Sequence, residues 1–161
     1  MDSVAASCSQ LLAIQSTLVN RALASLDESE IWQRPGEQSN SIGWILGHMT
    51  WSRNAMLHLM GGDPEVMPWG SGFARGAESA DRAAYPATDV IVSALKQVNR
   101  KLRERMEALT DADLSAQAAV PTPSPDRSVR GAIAFLTFHD GYHVGQIAYV
   151  LKMLGKPGLV G

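Results

Sequence analysis

The stretch of sequence that decides the fold lies near the C-terminus and reads Phe138-His139-Asp140-Gly141-Tyr142-His143-Val144-Gly145-Gln146. If this stretch is helical, His139 and His143 lie one turn apart on the same face. That face continues with residues that a helix turns toward a core, namely Ala132, Leu136, Gln146, Ile147, Val150 and Leu154. Two imidazoles therefore stand where hydrophobic side chains are expected, and a bound metal ion is the simplest explanation.

A third histidine on a predicted core face completes a candidate set of ligands. His48 follows Gly43-Trp44-Ile45-Leu46-Gly47 and shares its face with hydrophobic residues. Three neutral imidazoles with one open position form a common zinc site, and imidazole also suits nickel, copper and iron. The alternative is that each histidine is a buried, hydrogen-bonded residue of the core. His58 is excluded from the set, because it lies about 15 Å beyond His48 along the same helix.

Two polar residues in the stretch are candidates for supporting roles. Asp140 creates a His-Asp-x-x-His pattern, similar to His-Glu-x-x-His, in which the glutamate is a general base. Aspartate is one methylene shorter, so we favour a carboxylate on the helix surface, or one that orients an imidazole, over a catalytic base. Gln146 lies one heptad after His139 on the same stripe. It is a candidate to orient a histidine, and otherwise a hydrogen-bonded residue of the core.

The composition indicates a folded domain of ordinary size. The 161 residues are 45% hydrophobic and 19% charged, so we expect one globular domain over residues 1–161. The net charge is −2 and the basic residues are scattered, so we expect no nucleic-acid partner. The single cysteine, Cys8, excludes an internal disulfide. Without a signal pattern or a membrane-length apolar run, we expect a cytoplasmic protein and no membrane partner.

Hydrophobic periodicity predicts four helices and no strands. The helices cover about residues 4–26, from 39–41 to 60, from Thr88-Asp89 to 109, and 128–154, with Gly155 just past the last one. Between them lie segments 27–40, 61–87 and 110–127, which contain most of the prolines. We therefore expect an all-α four-helix bundle with long connections between the second and third and between the third and fourth helices.

Glycines and aromatic residues beside the histidines indicate close packing. Gly43 and Gly47 are four residues apart in a predicted helix, as are Gly141 and Gly145, although glycine within a helix costs about 1 kcal/mol relative to alanine. We expect these glycines to allow close backbone approach between helices or across a dimer interface. The candidates to line a substrate pocket are Trp44, Trp51, Arg53, Trp69 and Phe73, although core packing is the commoner role of such aromatic residues.

The pattern resembles the DinB-like superfamily, also called DinB/YfiT. The matching features are Ser41-Ile42-Gly43 through Gly47-His48, the stretch from His139 to Gln146, and the closing Leu154-Gly155-Lys156-Pro157-Gly158. The resemblance covers essentially the whole chain. It implies a four-helix bundle in which His48, His139 and His143 hold a divalent metal, and it implies a homodimer, since such proteins are often dimers.

The resemblance also implies a class of reaction. Characterised relatives use low-molecular-weight thiols such as mycothiol or bacillithiol, as S-transferases or as a thiol-dependent isomerase. By this analogy a zinc or nickel ion would bind the thiol as a thiolate and present it to a small electrophilic substrate. An open metal position supports a hydrolase as well, but hydrolysis needs a general base, and Asp140 is a poor one. The remaining alternative is a non-catalytic, stress-associated dimer that binds a metal or a small molecule.

Overall fold

The computed structural model of the protein describes residues 3–77, 81–122 and 124–160. In these residues there are six α-helices: α1 Ser3–Leu23, α2 Glu28–Trp32, α3 Ile42–Leu59, α4 Thr88–Ala108, α5 Asp111–Ser115 and α6 Val129–Met153. Two short 3-10 helices, Gly70–Phe73 and Arg82–Ala84, lie between α3 and α4. Apart from an isolated bridge between Gln117 and Ser128, the described residues form no β-structure.

The four long helices, α1, α3, α4 and α6, pack into a bundle, which confirms the predicted all-α fold. α1 packs against α4 and α6, and α3 packs against the same two helices. The long connections before α4 and before α6 also occur as predicted, although residues 78–80 of the first and Pro123 of the second lie outside the described residues. In the part of the chain that is described, no helix has the length and apolar character needed to cross a membrane.

The hydrophobic core shows the direction of each long helix. One cluster of buried residues contains the start of α1 and the start of α6 together with the ends of α3 and α4. The second cluster contains the opposite end of each of these helices, with Phe73 from the α3–α4 connection. α1 and α6 therefore run in one direction and α3 and α4 in the other. Because α3 and α4 are parallel, the chain between them must return along the length of the bundle.

Two helices begin where the sequence predicts, and each is capped by a serine side chain. Ser41 Oγ accepts a hydrogen bond from the backbone N–H of Trp44 at 3.2 Å at the start of α3. Ser128 Oγ accepts one from the N–H of Gly131 at 3.0 Å at the start of α6. Each bond satisfies a donor that the first helical turn leaves without a partner, so the start of each histidine-bearing helix is fixed.

Two short helices lie in connections that the sequence predicts as non-helical. Both α2 and α5 begin with a capping box, formed by Asp27 with Glu30 and by Thr110 with Asp113. A capping box satisfies two backbone donors at once, which stabilises a single helical turn. Each of these helices buries one hydrophobic residue, and that is too few to give a helical period in the sequence.

α4 begins at Thr88, as the sequence predicts, but its cap differs from the expected one. The sequence favours Thr88 as part of its cap, but the N-cap residue is Ala87, whose side chain has no oxygen. Thr88 Oγ1 instead accepts a hydrogen bond from Trp32 Nε1 at 2.8 Å and donates one to Glu28 Oε1 at 3.0 Å. The threonine therefore fastens α2 to α4.

Within the chain, three of the four predicted glycines lie against side chains, and a role for these glycines at a dimer interface stays a prediction. A Cβ atom on Gly43 would lie 2.6 Å from the Trp32 ring, and one on Gly47 would overlap the Phe73 ring. The glycines of α3 thus make room for aromatic side chains from α2 and from the α3–α4 connection, and not for another long helix. On α6, Gly141 lies against a side chain of α1, whereas Gly145 has no neighbour within 4 Å.

Candidate metal centre

Three histidine side chains converge between α3 and α6. His48 extends from α3, and His139 and His143 extend from α6, so that one ring nitrogen of each lies within 4.8 Å of the others. The Nε2 atom of His139 is 3.2 Å from that of His48 and 3.1 Å from that of His143. The three predicted ligands are therefore brought together, and His58 is exposed near the end of α3.

The spacing of the three Nε2 atoms suits a small divalent cation. Zinc binds histidine nitrogen at about 2.0–2.1 Å with tetrahedral geometry, which separates two ligand nitrogens by about 3.3 Å. The observed separations of 3.1 and 3.2 Å are close to this value. No fourth histidine, cysteine or carboxylate joins the cluster among the described residues. Such a ligand set leaves one position for water or a substrate.

Hydrogen bonds at the far nitrogens fix the tautomers of two of the histidines. His48 Nδ1 lies 2.6 Å from the backbone oxygen of Phe73, which can only accept, so His48 donates its Nδ1 proton. His143 Nδ1 lies 2.7 Å from Gln146 Oε1, while Gln146 Nε2 donates to Tyr142 Oη at 3.2 Å. Both imidazoles therefore direct the lone pair of Nε2 toward His139. This is the arrangement of metal-binding histidines, whose second nitrogen is held by an oxygen acceptor.

His139 decides between a metal ligand and an ordinary core histidine. Its Nε2 faces two lone pairs, and a neutral imidazole has only one N–H proton to share between them. Its Nδ1 is buried and has no hydrogen-bond partner in the described structure. Because His139 Nε2 can share only one proton between two lone pairs, three hydrogen-bonded core residues explain the cluster poorly, whereas Nδ1 lacks a partner with or without a cation at Nε2. A cation would accept all three lone pairs, and the residues present fit one.

Burial keeps two of the imidazoles in the neutral form that a metal requires. The pKa of His143 is lowered to about 4; burial is the largest cause, and the positive charges that His139 and His48 would carry also lower it, while the hydrogen bond to Gln146 and the charge of Asp140 raise it. The pKa of His139 is lowered mainly by burial and then by His48 and Arg75. At neutral pH these nitrogens are therefore available as ligands without first losing a proton.

Aromatic rings enclose the three histidines. Trp44 stacks on His48, with ring centroids 5.1 Å apart and ring planes at 7° to each other. The ring centroid of Trp51 lies 6.1 Å from that of the same histidine. Phe135 lies beside His139, and Tyr142 contacts the edge of His143. These contacts restrict the rings to one orientation and make the surroundings of the cluster apolar.

Two other residues that the sequence predicts for a substrate pocket, Phe73 and Trp69, lie in the α3–α4 connection. Phe73 is fully buried, and its backbone carbonyl receives the His48 proton. Trp69 packs edge-on against the Phe73 ring, with centroids 5.6 Å apart. This connection thereby orients a histidine through a backbone atom, and a backbone contact leaves no signal in the sequence.

The sequence favours a position for Asp140 on the helix surface or a role in orienting an imidazole, and the structure contradicts the first of these. Asp140 is 1% exposed rather than on the helix surface, and its Oδ2 accepts hydrogen bonds from Nε of Arg53 at 2.9 Å and from Nη2 of the same residue. Arg53 is 3% exposed and is the buried partner of this carboxylate. The signal that could have found this pair is a charged residue on the core stripe of each helix, because buried charges need a partner.

An open cavity lies on the side of α6, next to residues that contact His143, although none of the three histidines lines it. It has a volume of about 800 Å³, and its wall includes Gln146, Tyr142, Tyr149 and the two glycines of this helix face, Gly141 and Gly145. Gln146 therefore contacts both the cavity and His143. A volume of this size accommodates a small-molecule ligand.

Comparison with known proteins gives the family. The family model for the DinB superfamily matches residues 11–147. Seven chains of known structure match, among them YfiT from Bacillus subtilis, described as a probable metal-dependent hydrolase with an unusual four-helix bundle topology. That match has a TM-score of 0.68 at 11% sequence identity and covers 98% of this chain and 91% of YfiT. No curated protein sequence matches. Since the family model spans most of its length, the chain belongs to the DinB superfamily.

Proposed function

We propose that the protein is a metal-dependent enzyme that transfers a low-molecular-weight thiol to a small electrophilic substrate. In this proposal His48, His139 and His143 hold a divalent cation, with zinc or nickel the best suited to three imidazoles. The observation that carries the proposal is the convergence of three Nε2 atoms, two of them with their lone pairs directed inward by hydrogen bonds at Nδ1.

The chain's own residues would position the reactants and exclude water. Phe73 and Gln146 hold two imidazoles in the ligand tautomer, and the stacked Trp44 ring shields one side of the cluster from solvent. A divalent cation held there supplies Lewis acidity, which lowers the pKa of a thiol or a water molecule at its open position. The cavity beside Gln146 and Tyr142 offers a site for the electrophile.

The ion pair of Asp140 with Arg53 favours thiol transfer over hydrolysis. Hydrolysis benefits from a general base that accepts a proton from water, and Asp140 is the carboxylate next to the histidines in sequence. Its Oδ2 is occupied by two nitrogens of Arg53 in a buried ion pair. Once its pKa is lowered, a thiol loses its proton to solvent, so this chemistry needs no carboxylate beside the metal ligands.

A hydrolase is the second candidate. YfiT, which has the same fold, is described as a probable metal-dependent hydrolase. Ser52 Oγ lies 3.5 Å from His48 Nε2, so a polar side chain is available next to one of the candidate ligand nitrogens. In this reading the nucleophile would be water, and the small-molecule substrate would bind in the same cavity.

The first test is metal content. Protein purified without a histidine tag should contain close to one equivalent of zinc or nickel by elemental analysis. His143→Ala should lose the metal, because it removes one of three ligands, whereas His58→Ala should retain it as a control for the loss of an exposed histidine. If wild-type protein contains no metal and takes none up, the enzyme proposal fails and a non-catalytic protein becomes the better interpretation.

A second measurement separates the two reactions. With cobalt in the site, cysteine should change the visible absorption spectrum of the protein, because thiolate–cobalt bonds absorb differently from imidazole or water ligands. Serine at the same concentration is the control. A spectrum unchanged by cysteine in a cobalt-loaded protein would reject thiol transfer and leave the hydrolase as the better candidate.

A further inference from the structure

A separate cavity of about 330 Å³ lies between α1 and α4, away from the three histidines. Its floor is apolar and includes Leu12 of α1 with Leu102 and Met106 of α4, all of them buried. None of the three histidines lines it. The volume is at the lower end of the range for small-molecule sites.

The charged side chains that line this cavity are all cationic. Four cationic side chains line it, Arg53, Lys96, Arg100 and Arg103, and no carboxylate does so in the described structure. This is unexpected in a chain whose net charge is −2. Lys96, Arg100 and Arg103 follow at intervals of four and three along α4, and like charges at these spacings destabilise a helix. An anion in the cavity would relieve that repulsion.

Two of the four cations already have acidic partners. Arg53 is paired with Asp140, and Arg100 is paired with Glu104, although both members of the second pair are more than half exposed. Lys96 and Arg103 form no ion pair with any residue that the structure describes. The cavity thus retains positive charge on two exposed side chains that no described carboxylate pairs with.

The polar wall of the cavity is ordered by the buried arginine. Arg53 Nη1 donates to Ser16 Oγ at 2.9 Å and also to Asn99 Oδ1, and Asn99 Nδ2 donates to the same hydroxyl at 3.3 Å. Ser16 belongs to α1 and Asn99 to α4, so this network joins the two walls. A preordered polar wall lowers the entropy that a ligand must lose on binding.

From the apolar floor, the unbalanced cations and the ordered wall, we propose that this cavity binds a small organic anion. The ligand would be a carboxylate or a phosphate monoester with an apolar group, its charge near Lys96 and Arg103 and its apolar group on the floor. A plain solvated helix face would have cations but neither the cavity nor the apolar floor. The site is independent of the proposed metal centre.

The test is a titration of the full-length protein followed by two-dimensional ¹H–¹⁵N NMR. The probes are phenyl phosphate, benzoate, inorganic phosphate and the neutral benzyl alcohol. We expect saturable shifts at amides of α1 and α4 with phenyl phosphate or benzoate. Binding should be weaker with inorganic phosphate, which lacks the apolar group, and with benzyl alcohol, which lacks the charge. Added salt should weaken binding of the anions.

A matched pair of variants tests the role of charge. Arg103→Gln should weaken binding by up to about fivefold, as expected for one exposed charge contact. Lys152→Gln removes an exposed cation from α6 and should leave binding unchanged. The same titration on His143→Ala should give the same affinity, so loss of the metal centre would leave this result intact. Equal binding of benzyl alcohol, equal effects of the two charge variants, or shifts confined to the histidines would overturn the proposal.

Discussion

Arg53 and Asp140 connect α3 to α6 through a buried ion pair directly beside the three clustered histidines. Their side chains are 3% and 2% exposed. When one partner of such a pair is removed, the other remains as an unpaired buried charge, which costs about 3–5 kcal/mol. We therefore predict that Arg53→Met and Asp140→Asn each lower the free energy of unfolding by about this amount, measured by urea denaturation of metal-free protein.

An exposed pair in the same bundle is the control. Arg100 and Glu104 are 57% and 56% exposed at the side chain and are four residues apart on α4. Glu104→Gln should change stability by at most about 1 kcal/mol, because water screens this pair. The double variant Arg53→Met with Asp140→Leu should recover much of the loss, since no unpaired charge remains. Equal losses in the buried and exposed pairs would contradict the prediction.

The sequence predicts the histidines and one of their partners, Gln146, but it does not predict the other contacts around them. His139 and His143 are one turn apart on a hydrophobic face, and this spacing is visible in the sequence. Gln146 was also visible, because it lies three residues after His143. The Phe73 carbonyl was not visible, since the backbone oxygen of any residue could have occupied that position. Arg53 pairs across 87 residues of sequence, and only the packing of the helices brings it to Asp140.

At the scale of single helices, α3 is shaped by the glycine one position before His48. A Cβ atom on Gly47 would overlap the ring of Phe73, which is fully buried and cannot move into solvent. We predict that Gly47→Ala lowers the free energy of unfolding by about 1–3 kcal/mol, as overpacking does in other cores. The substitution should also weaken metal binding, because a displaced Phe73 moves the carbonyl that orients His48.

α6 provides a glycine that should respond in the opposite direction. Gly145 has no atom within 4 Å of the position of a Cβ, and it lies within the helix. Gly145→Ala should raise the free energy of unfolding by up to about 1 kcal/mol, because alanine favours the helix. Thermal and urea denaturation of both variants check the pair. Destabilisation by both alanines would show that the Phe73 contact is not the cause.

Helix length decides which helices the sequence predicts. The long helices could be predicted and the short ones could not. A helix of 18 residues or more repeats its hydrophobic face several times, so α1, α3, α4 and α6 each show a period. α2 and α5 have five residues each and one buried side chain, so no period can develop. Their capping boxes were present in the sequence, but such pairs also occur in turns.

On the scale of the whole molecule, the direction of the helices explains the length of the connections. α3 and α4 are parallel neighbours, so the intervening chain spans the bundle, and part of it supplies Phe73 to the core beside the histidines. Hydrophobic periodicity shows which face of a helix is buried but not which way a neighbouring helix runs. The bundle could therefore be predicted, and its unusual order of directions could not.

The exposed surface of α6 leads to the last prediction, a homodimer formed through this face. Four large side chains, Phe138, Tyr142, Tyr149 and Met153, follow one stripe and are between 54% and 72% exposed. Contiguous apolar surface of this kind is rare on monomers and typical of interfaces. We predict that wild-type protein is a dimer by light scattering coupled to size-exclusion chromatography, and that Tyr149→Glu makes it monomeric.

The control is Val66→Glu, which places the same charge on an isolated, 91% exposed hydrophobic residue and should leave the dimer intact. The cavity of about 800 Å³ beside Gln146 opens on the same face and is lined by Tyr142 and Tyr149. A partner subunit would therefore close it, and Tyr149→Glu should also reduce turnover of any substrate bound there. A wild-type monomer at every concentration would contradict the dimer and leave the cavity open to solvent.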